Sequence, residues 1–272
     1  MNQGLIIVSI ILYGIAATLP AFRLARSEHT SPSKLPAKKY SFWILGLCAV
    51  LAHGVLLYSS IVTEKSMNLG LFKTLSLVSW MMAALVLASS FRKPIEFLAI
   101  FLFPLAIATL AMDYFLVSER SMERAWQLQT HILASVAGYS FLSIAMLQAL
   151  ILVIQDHHLH NHRPGGLVAK LPPLKVMETF LFQLITLGFV LLTVGLLVGT
   201  LFIHSLFEQH LVHKTVLSLL AWSIFAVLLW GRWRFGWRGR KAIRWALGGF
   251  VLLMLAFVGT KFVLELALHR VS

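Results

Sequence analysis

The chain has a single cysteine, Cys48, set inside an apolar run. No disulfide framework can form within the chain, no CxxC redox or zinc motif exists, and any thiol chemistry belongs to a partner. Charge is scarce too: 12% of the 272 residues are charged, against 59% hydrophobic, and the mean hydropathy is positive. That balance excludes a soluble domain of this size and makes the chain a polytopic membrane protein. Acidic residues are the scarcer sign, 10 Asp and Glu to 23 Lys and Arg, for a formal net charge of +13. The cations cluster in short linkers between apolar spans, where cytoplasmic positive bias and anionic lipid account for them, so no nucleic-acid partner is expected. Residues 5–19 lack a charged leader and a small-residue cleavage site, so the first span reads as a retained helix and not a signal peptide. There is no internal repeat, no low-complexity segment and no catalytic constellation. Asp113, Glu119 and Glu123 fall in or beside a predicted loop with Arg120 and Arg124 close in sequence, which reads as solvated pairs and not as a general acid and base.

What is present is a series of apolar runs. Those long enough to span a bilayer fall at about residues 4–22, 41–62, 69–91, 95–113, 127–154, 177–203, 215–231 and 245–267. The expected fold is an all-α, eight-helix transmembrane bundle forming one membrane domain over residues 1–272. Four alternate linkers carry most of the cations: Arg23, Arg26, Lys34, Lys38 and Lys39; Arg92 and Lys93; Arg163, Lys170 and Lys175; and Arg232, Arg234, Arg238, Arg240, Lys241 and Arg244. These linkers are expected to face the cytoplasm, with both termini outside, on the periplasmic side. The outer segments, 63–68, 113–126, 204–214 and the tail from His269, are all short. Whatever the protein handles is therefore held at the membrane surface or between helices. Pro104 is expected to kink the fourth helix.

The chain is organised around residues 126–156. His131 lies about one turn inside the span boundary, and helical spacing places Ser135 and Gly138 or Tyr139 on its face. An ionisable group inside a membrane is costly, so it marks a ligand or ion site with a partner, or else a hydrogen-bonded packing residue. Neutral imidazole is a common ligand of metals and haem iron. His53, between Ala52 and Gly54, is the next candidate, because its small neighbour lets a helix or a flat ligand approach closely; the alternative is a hydrogen bond to a serine or carbonyl of the next helix. Met81, Met82 and Met112 are conceivable axial ligands, although methionine in apolar helices is usually packing. His157, His158, His160 and His162 suggest a metal site only if the helix continues that far; otherwise they belong to a fraying end that suits the helix dipole. The 232–241 linker interleaves cations with aromatics as an interfacial anchor, or as a docking patch for haem propionates or an acidic partner. Lys261 and Glu265, four residues apart, can pair or snorkel.

Three stretches together resemble the cytochrome c assembly family of CcsA/CcmC/HemX-type haem-handling membrane proteins. They are His131-Ile-Leu-Ala-Ser-Val-Ala-Gly-Tyr139; Leu187-Gly-Phe-Val-Leu-Leu-Thr-Val-Gly195 through Gly199; and Lys214-Thr-Val-Leu-Ser-Leu-Leu-Ala-Trp222, followed by Gly236-Trp-Arg-Gly-Arg240 and a closing helix with Gly259. Asn68-Leu-Gly-Leu71 to Ser79-Trp80 is a weaker match, and the whole covers about residues 65–269 in family order. The resemblance implies a haem-ligating histidine at His131 and a second outer-face histidine within about one residue of His269. Two departures stand beside it. The family's tryptophan-rich Trp-Gly-x-x-Trp-x-Trp-Asp signature is absent from the loop 204–214, and an intramembrane histidine is replaced at about Trp230. This combination looks most like the small inner-membrane members called YpjD-type.

Haem b binding is what the resemblance implies, while the missing signature stands against cytochrome c ligation itself. His131, His204, His210, His213 and His269 would share one membrane face, enough for a bis-imidazole iron site with His131 as leading ligand and His269 or His204 as partner; His204, His210 and His213 also read as ordinary loop residues. His53 would hold haem in transit. The expected function is haem handling, haem export or assistance to cytochrome c-type biogenesis, by binding and not by turnover, in the bacterial inner membrane. Expected partners are membrane lipid and other biogenesis or membrane proteins. The alternative is a non-haem accessory or regulatory subunit with a degenerate haem site. Solute transport is a weaker reading, because no broken helix pair and no buried acidic relay stand out in the sequence.

Overall fold

A computed structural model describes residues 3–25, 35–62, 66–116, 121–123, 125–160, 170–202 and 212–259. The chain forms two compact units, Met1–Glu123 and Arg124–Ser272. The first holds α1 (Gln3–Ala25), α2 (Leu35–Ile61), α3 (Leu71–Ser90) and α4 (Ala99–Phe115), with a 3-10 turn at Glu96–Leu98 leading into α4. The second holds α5 (Trp126–His160), α6 (Leu174–Phe202), α7 (Val212–Phe235) and α8 (Gly239–Met254), which continues into a π turn at Leu255–Gly259. Seven segments are long and apolar enough to cross a membrane among the described residues: Gln3–Ala25, Tyr40–Ile61, Leu71–Ser90, Glu96–Phe115, Trp126–His160, Leu174–Phe202 and Thr215–Phe235. Residues 260–267 of the eighth expected span lie outside the described residues. α5 outruns its expected end near residue 154 and carries His157, His158 and His160 within the helix.

These helices form because long aliphatic runs satisfy every backbone group internally, as an apolar solvent demands. Their hydroxyls obey the same constraint by turning back on their own helix: Ser9 donates to the Leu5 carbonyl, Ser140 to Val136, Thr186 to Phe182 and Thr193 to Phe189, at 2.7–2.8 Å. Pro104 lies inside α4, as the sequence predicts, and Pro20 lies inside α1.

In the first unit α1 packs on α2 and α4, and α3 on α2 and α4. Its centre is aromatic: Tyr13 meets Phe103 at 5.2 Å between centroids, and Phe42 stacks on Phe103 at 5.9 Å. α2 turns Ile44, Leu47, Leu51, Val55 and Tyr58 outward, with Cys48 exposed beside them, the face a membrane helix offers to lipid. The segments expected to be simple loops at 63–68 and 113–126 contain a short antiparallel ribbon, β1 (Ser66–Asn68) with β2 (Ser121–Glu123), in the register Ser66↔Glu123 and Asn68↔Ser121. The ribbon ties the entry of α3 to the exit of α4, so those two ends are held together.

One sequence expectation fails here. Asp113 is no solvated loop residue: it sits in the last turns of α4, 8% exposed, with its Oδ1 3.9 Å from Nζ of Lys73 on α3. The reason is helical: α4 runs on to Phe115, so Asp113 stays on the face that packs on α3.

Candidate functional site

The second unit is built on a hairpin of α5 and α6, and His131 stands at its open end. His131 is half-buried, and its Nδ1 lies 2.7 Å from the carbonyl oxygen of Gly195 on α6. A carbonyl only accepts, so Nδ1 carries the proton and donates it, which places the ring's lone pair on Nε2. An imidazole held through one N–H by a carbonyl, with the other nitrogen basic, is the usual state of a metal-ligating histidine.

The sequence makes this contact by removing side chains. A Cβ on Gly195 would stand 3.0 Å from the Ser135 hydroxyl, one on Gly138 would stand 3.2 Å from the Leu192 amide nitrogen and 3.4 Å from the Gly188 oxygen, and one on Gly188 would strike Leu142 at 2.6 Å. His131, Ser135, Gly138 and Leu142 thus form one seam of α5 against Gly188, Leu192 and Gly195 of α6, the close approach that small residues permit between membrane helices. Further along the hairpin Gln148 donates to the Met177 carbonyl at 3.2 Å, and Gln155 to the Pro172 carbonyl at 3.0 Å. Three polar side chains of α5 therefore fix the register of α6, His131 being the first. At the His131 end the Trp126 and Phe202 rings meet at 5.6 Å, both largely exposed. Of the two residues that the spacing allows on the His131 face, Gly138 takes it, and Tyr139 packs on Phe257 at 4.9 Å and hydrogen-bonds Ser218 of α7.

His53 belongs to the first unit and is fully buried. Its Nε2 lies 2.9 Å from the Ser76 hydroxyl of α3, and its Nδ1 lies 3.4 Å from the Tyr13 hydroxyl of α1. Both ring nitrogens thus have protein partners, and iron could reach either one only by displacing a bond. The small neighbour, Gly54, admits a helix: a Cβ there would stand 3.2 Å from the Trp80 ring, whose Nε1 donates to the Val50 carbonyl at 2.7 Å.

The sequence model described as Cytochrome C assembly protein matches residues 42–268, most of the chain. The chain belongs to the cytochrome c assembly protein family. The match begins within α2, ahead of the stretch that carries the motif resemblance. Inner membrane protein YpjD of Escherichia coli (strain K12) is 33% identical over 227 residues, which cover 82% of this chain and 86% of that protein. Protein HemX of Brevibacillus brevis is 25% identical over 196 residues, 70% of this chain and 72% of its own. Cytochrome c biogenesis protein CcsA of Gloeobacter violaceus is 31% identical over 93 residues, 34% of this chain and 28% of its own.

The remaining candidates of this family member fall out as follows. His204, His210 and His269 lie outside the described residues, as do His162, Lys261 and Glu265, and His213 lies in the first turn of α7, whose side chains are not described. Met82 is buried, Met81 half-buried and Met112 exposed. His158 and His160 each donate from Nδ1 to a carbonyl one turn back, of Ile154 and Asp156, and no cluster of metal-binding side chains occurs among the described residues. The basic linker is partly consumed by ion pairs that sequence reasoning missed. Arg232 donates to Glu178 at 2.8 Å and to the Trp237 carbonyl at 3.0 Å while lying over the Phe182 ring, and Arg240 donates to Asp156 at 2.8 Å. Glu178 and Asp156 are lone acids near the ends of α6 and α5, in basic surroundings; that scarcity was the available signal.

Proposed function

We propose that this chain is a haem-binding protein of the bacterial inner membrane that holds haem b at the His131 end of the α5–α6 hairpin. It acts in haem handling or cytochrome c-type biogenesis by binding and presentation, without turnover. The observation that carries this reading is the His131–Gly195 bond: it sets the tautomer in which Nε2 is the basic nitrogen and fixes the ring's orientation. The surroundings fit a flat apolar ligand, since the exposed Trp126 and Phe202 rings sit at the same end of the hairpin. His131 would hold the haem iron, with His269 or His204 as the second holding residue. Haem, when bound, would supply an iron centre for which neutral imidazole is a suitable ligand. In this reading eight helices span the membrane with both termini outside, and His131 faces the outer side. The membrane lipid is one partner, and other biogenesis proteins are the others; the similarity to the cytochrome c biogenesis protein of Gloeobacter violaceus supports that class.

The test is the optical spectrum of the detergent-purified protein, oxidised and reduced, beside His131→Ala, His269→Ala and His53→Ala. A Soret band and a reduced α-band that weaken in the His131 and His269 variants and persist in the His53 variant are expected. A wild type that stays colourless after haem is added overturns the reading. A second reading, an accessory subunit with a decayed haem site, draws on the absence of tryptophan from residues 204–214, and that colourless outcome would favour it.

A further inference from the structure

A buried polar track runs through the first unit, apart from the site discussed above. It begins where the ribbon gathers the entry of α3 and the exit of α4. There the Asp113 side chain is 2% exposed, and the Lys73 ammonium stands 3.9 Å from its Oδ1, an ion-pair distance but beyond a hydrogen bond. Asp113 Oδ2 is buried and has no hydrogen-bond partner among the described residues. One helical turn back on α4, the Thr109 hydroxyl meets that of Ser79 on α3 at 2.6 Å, and Ser79 also donates to the Ser76 carbonyl at 2.9 Å. Ser76 in turn meets His53 on α2, and His53 meets Tyr13 on α1. Ser76, Ser79, His53 and Tyr13 are all essentially unexposed, so the four helices of this unit enclose one polar seam in an otherwise apolar interior.

An aspartate oxygen with no donor is the costly member of such a seam. A charged carboxylate in apolar surroundings is stabilised by hydrogen bonds or by close opposite charge, and a neutral carboxyl needs much less of either. Here a single ammonium stands off at 3.9 Å, so neither form is locked in place. The charged and titratable groups that the described side chains present around Asp113 are few. α3 offers Lys73; α4 offers Tyr114, whose hydroxyl is taken by Gln3 of α1; the described part of α1 has no acid or base at that end.

We propose that Asp113 is a proton-exchanging carboxyl at the mouth of this track. It takes a proton from water at the α3–α4 end and returns it there, and Lys73 balances the carboxylate while the proton is away. The bond made and broken is Oδ2–H alone; water or hydronium is the donor and water or hydroxide the acceptor, so no further reactant is required. The ligand of the site is the proton, and the hydroxyls of Thr109 and Ser79 lie about one turn further along the seam.

The experiment uses the full-length protein in detergent or liposomes. Infrared difference spectra between acidic and alkaline buffer are recorded for wild type, Asp113→Asn and Lys73→Gln, with reaction of a hydrophobic carbodiimide mapped by peptide mass spectrometry. The wild type should show a protonated-carboxyl band that fades as pH rises and that Asp113→Asn lacks. Carbodiimide should modify Asp113, more slowly as pH rises. In Lys73→Gln the band and the labelling should persist to higher pH, because the group that favours the carboxylate is gone. A wild-type difference spectrum superimposable on that of Asp113→Asn, with Asp113 unmodified throughout, overturns the proposal. So does a band that ignores Lys73→Gln, since the pair would then not be coupled. The wild-type labelling decides the matter even if a variant fails to fold.

Discussion

Replacing Gly138 by alanine should loosen the α5–α6 hairpin, and the structure sets the size of the effect. The new Cβ would stand 3.2 Å from the Leu192 nitrogen and 3.4 Å from the Gly188 oxygen. Both are backbone atoms and cannot rotate away, so the two helices must part by a few tenths of an ångström along the whole seam. Overpacking of this kind costs about 1–3 kcal/mol, and the better helix propensity of alanine returns about 1 kcal/mol. The net expectation is a loss of about 1 kcal/mol for Gly138→Ala. Valine adds two methyl groups and little propensity, and its cost should reach about 3 kcal/mol. Gly248, on α8 of the same unit, has nothing within 4 Å of its virtual Cβ, so Gly248→Ala should be neutral or stabilising by up to about 1 kcal/mol. The assay is unfolding by heat or by sodium dodecyl sulfate in mild detergent, followed by circular dichroism. The order of stability should be Gly248→Ala, wild type, Gly138→Ala, Gly138→Val. If Gly138→Ala unfolds together with Gly248→Ala, the close approach is refuted, and with it the geometry that brings the Gly195 carbonyl to His131.

Three further outcomes use the same assay. Ser76→Ala leaves the buried Nε2 of His53 without its hydrogen-bond partner and should cost about 1–3 kcal/mol, while an unchanged midpoint would mean that His53 is tied elsewhere. Arg232→Ala removes two hydrogen bonds and the packing on Phe182, for a loss of about 1–3 kcal/mol, whereas Arg240→Ala breaks an exposed pair with Asp156 and should cost at most about 1 kcal/mol; equal losses would contradict the burial difference. Gly236 ends α7 with φ +64°, where a side chain costs about 1–2 kcal/mol, so Gly236→Ala should destabilise by that amount and Gly236→Asn by less.

Much of this protein is readable before any coordinates. Long apolar runs can be little else than membrane-crossing helices, because an apolar solvent forces every backbone group to bond within its own segment; seven of the eight expected spans stand among the described residues on that ground. The family, too, is legible in the order of three short motifs, and His131 is legible as an ionisable group where none is welcome. What no periodicity could supply is the partner of each polar group. Asp113 looks solvated in sequence because Glu119, Arg120, Glu123 and Arg124 follow it, yet the helix continues far enough to bury it against Lys73. Gly54 could have admitted a ligand or a helix, and the Trp80 indole takes the space.

Composition and spacing therefore determined the membrane character, the helices and the place of an ionisable histidine, His131, inside a span, while the resemblance of three short motifs pointed to the family; each depends on residues near in sequence or on bulk polarity. Only the tertiary structure decided that the Gly195 carbonyl, 64 residues away, holds that histidine's Nδ1–H. It also decided that His53 is spanned by Ser76 and Tyr13, and that the first unit encloses a polar track ending at Asp113. These are pairings between helices, and they are set by how glycine-lined faces come together, a quantity that no single helix carries in its own sequence.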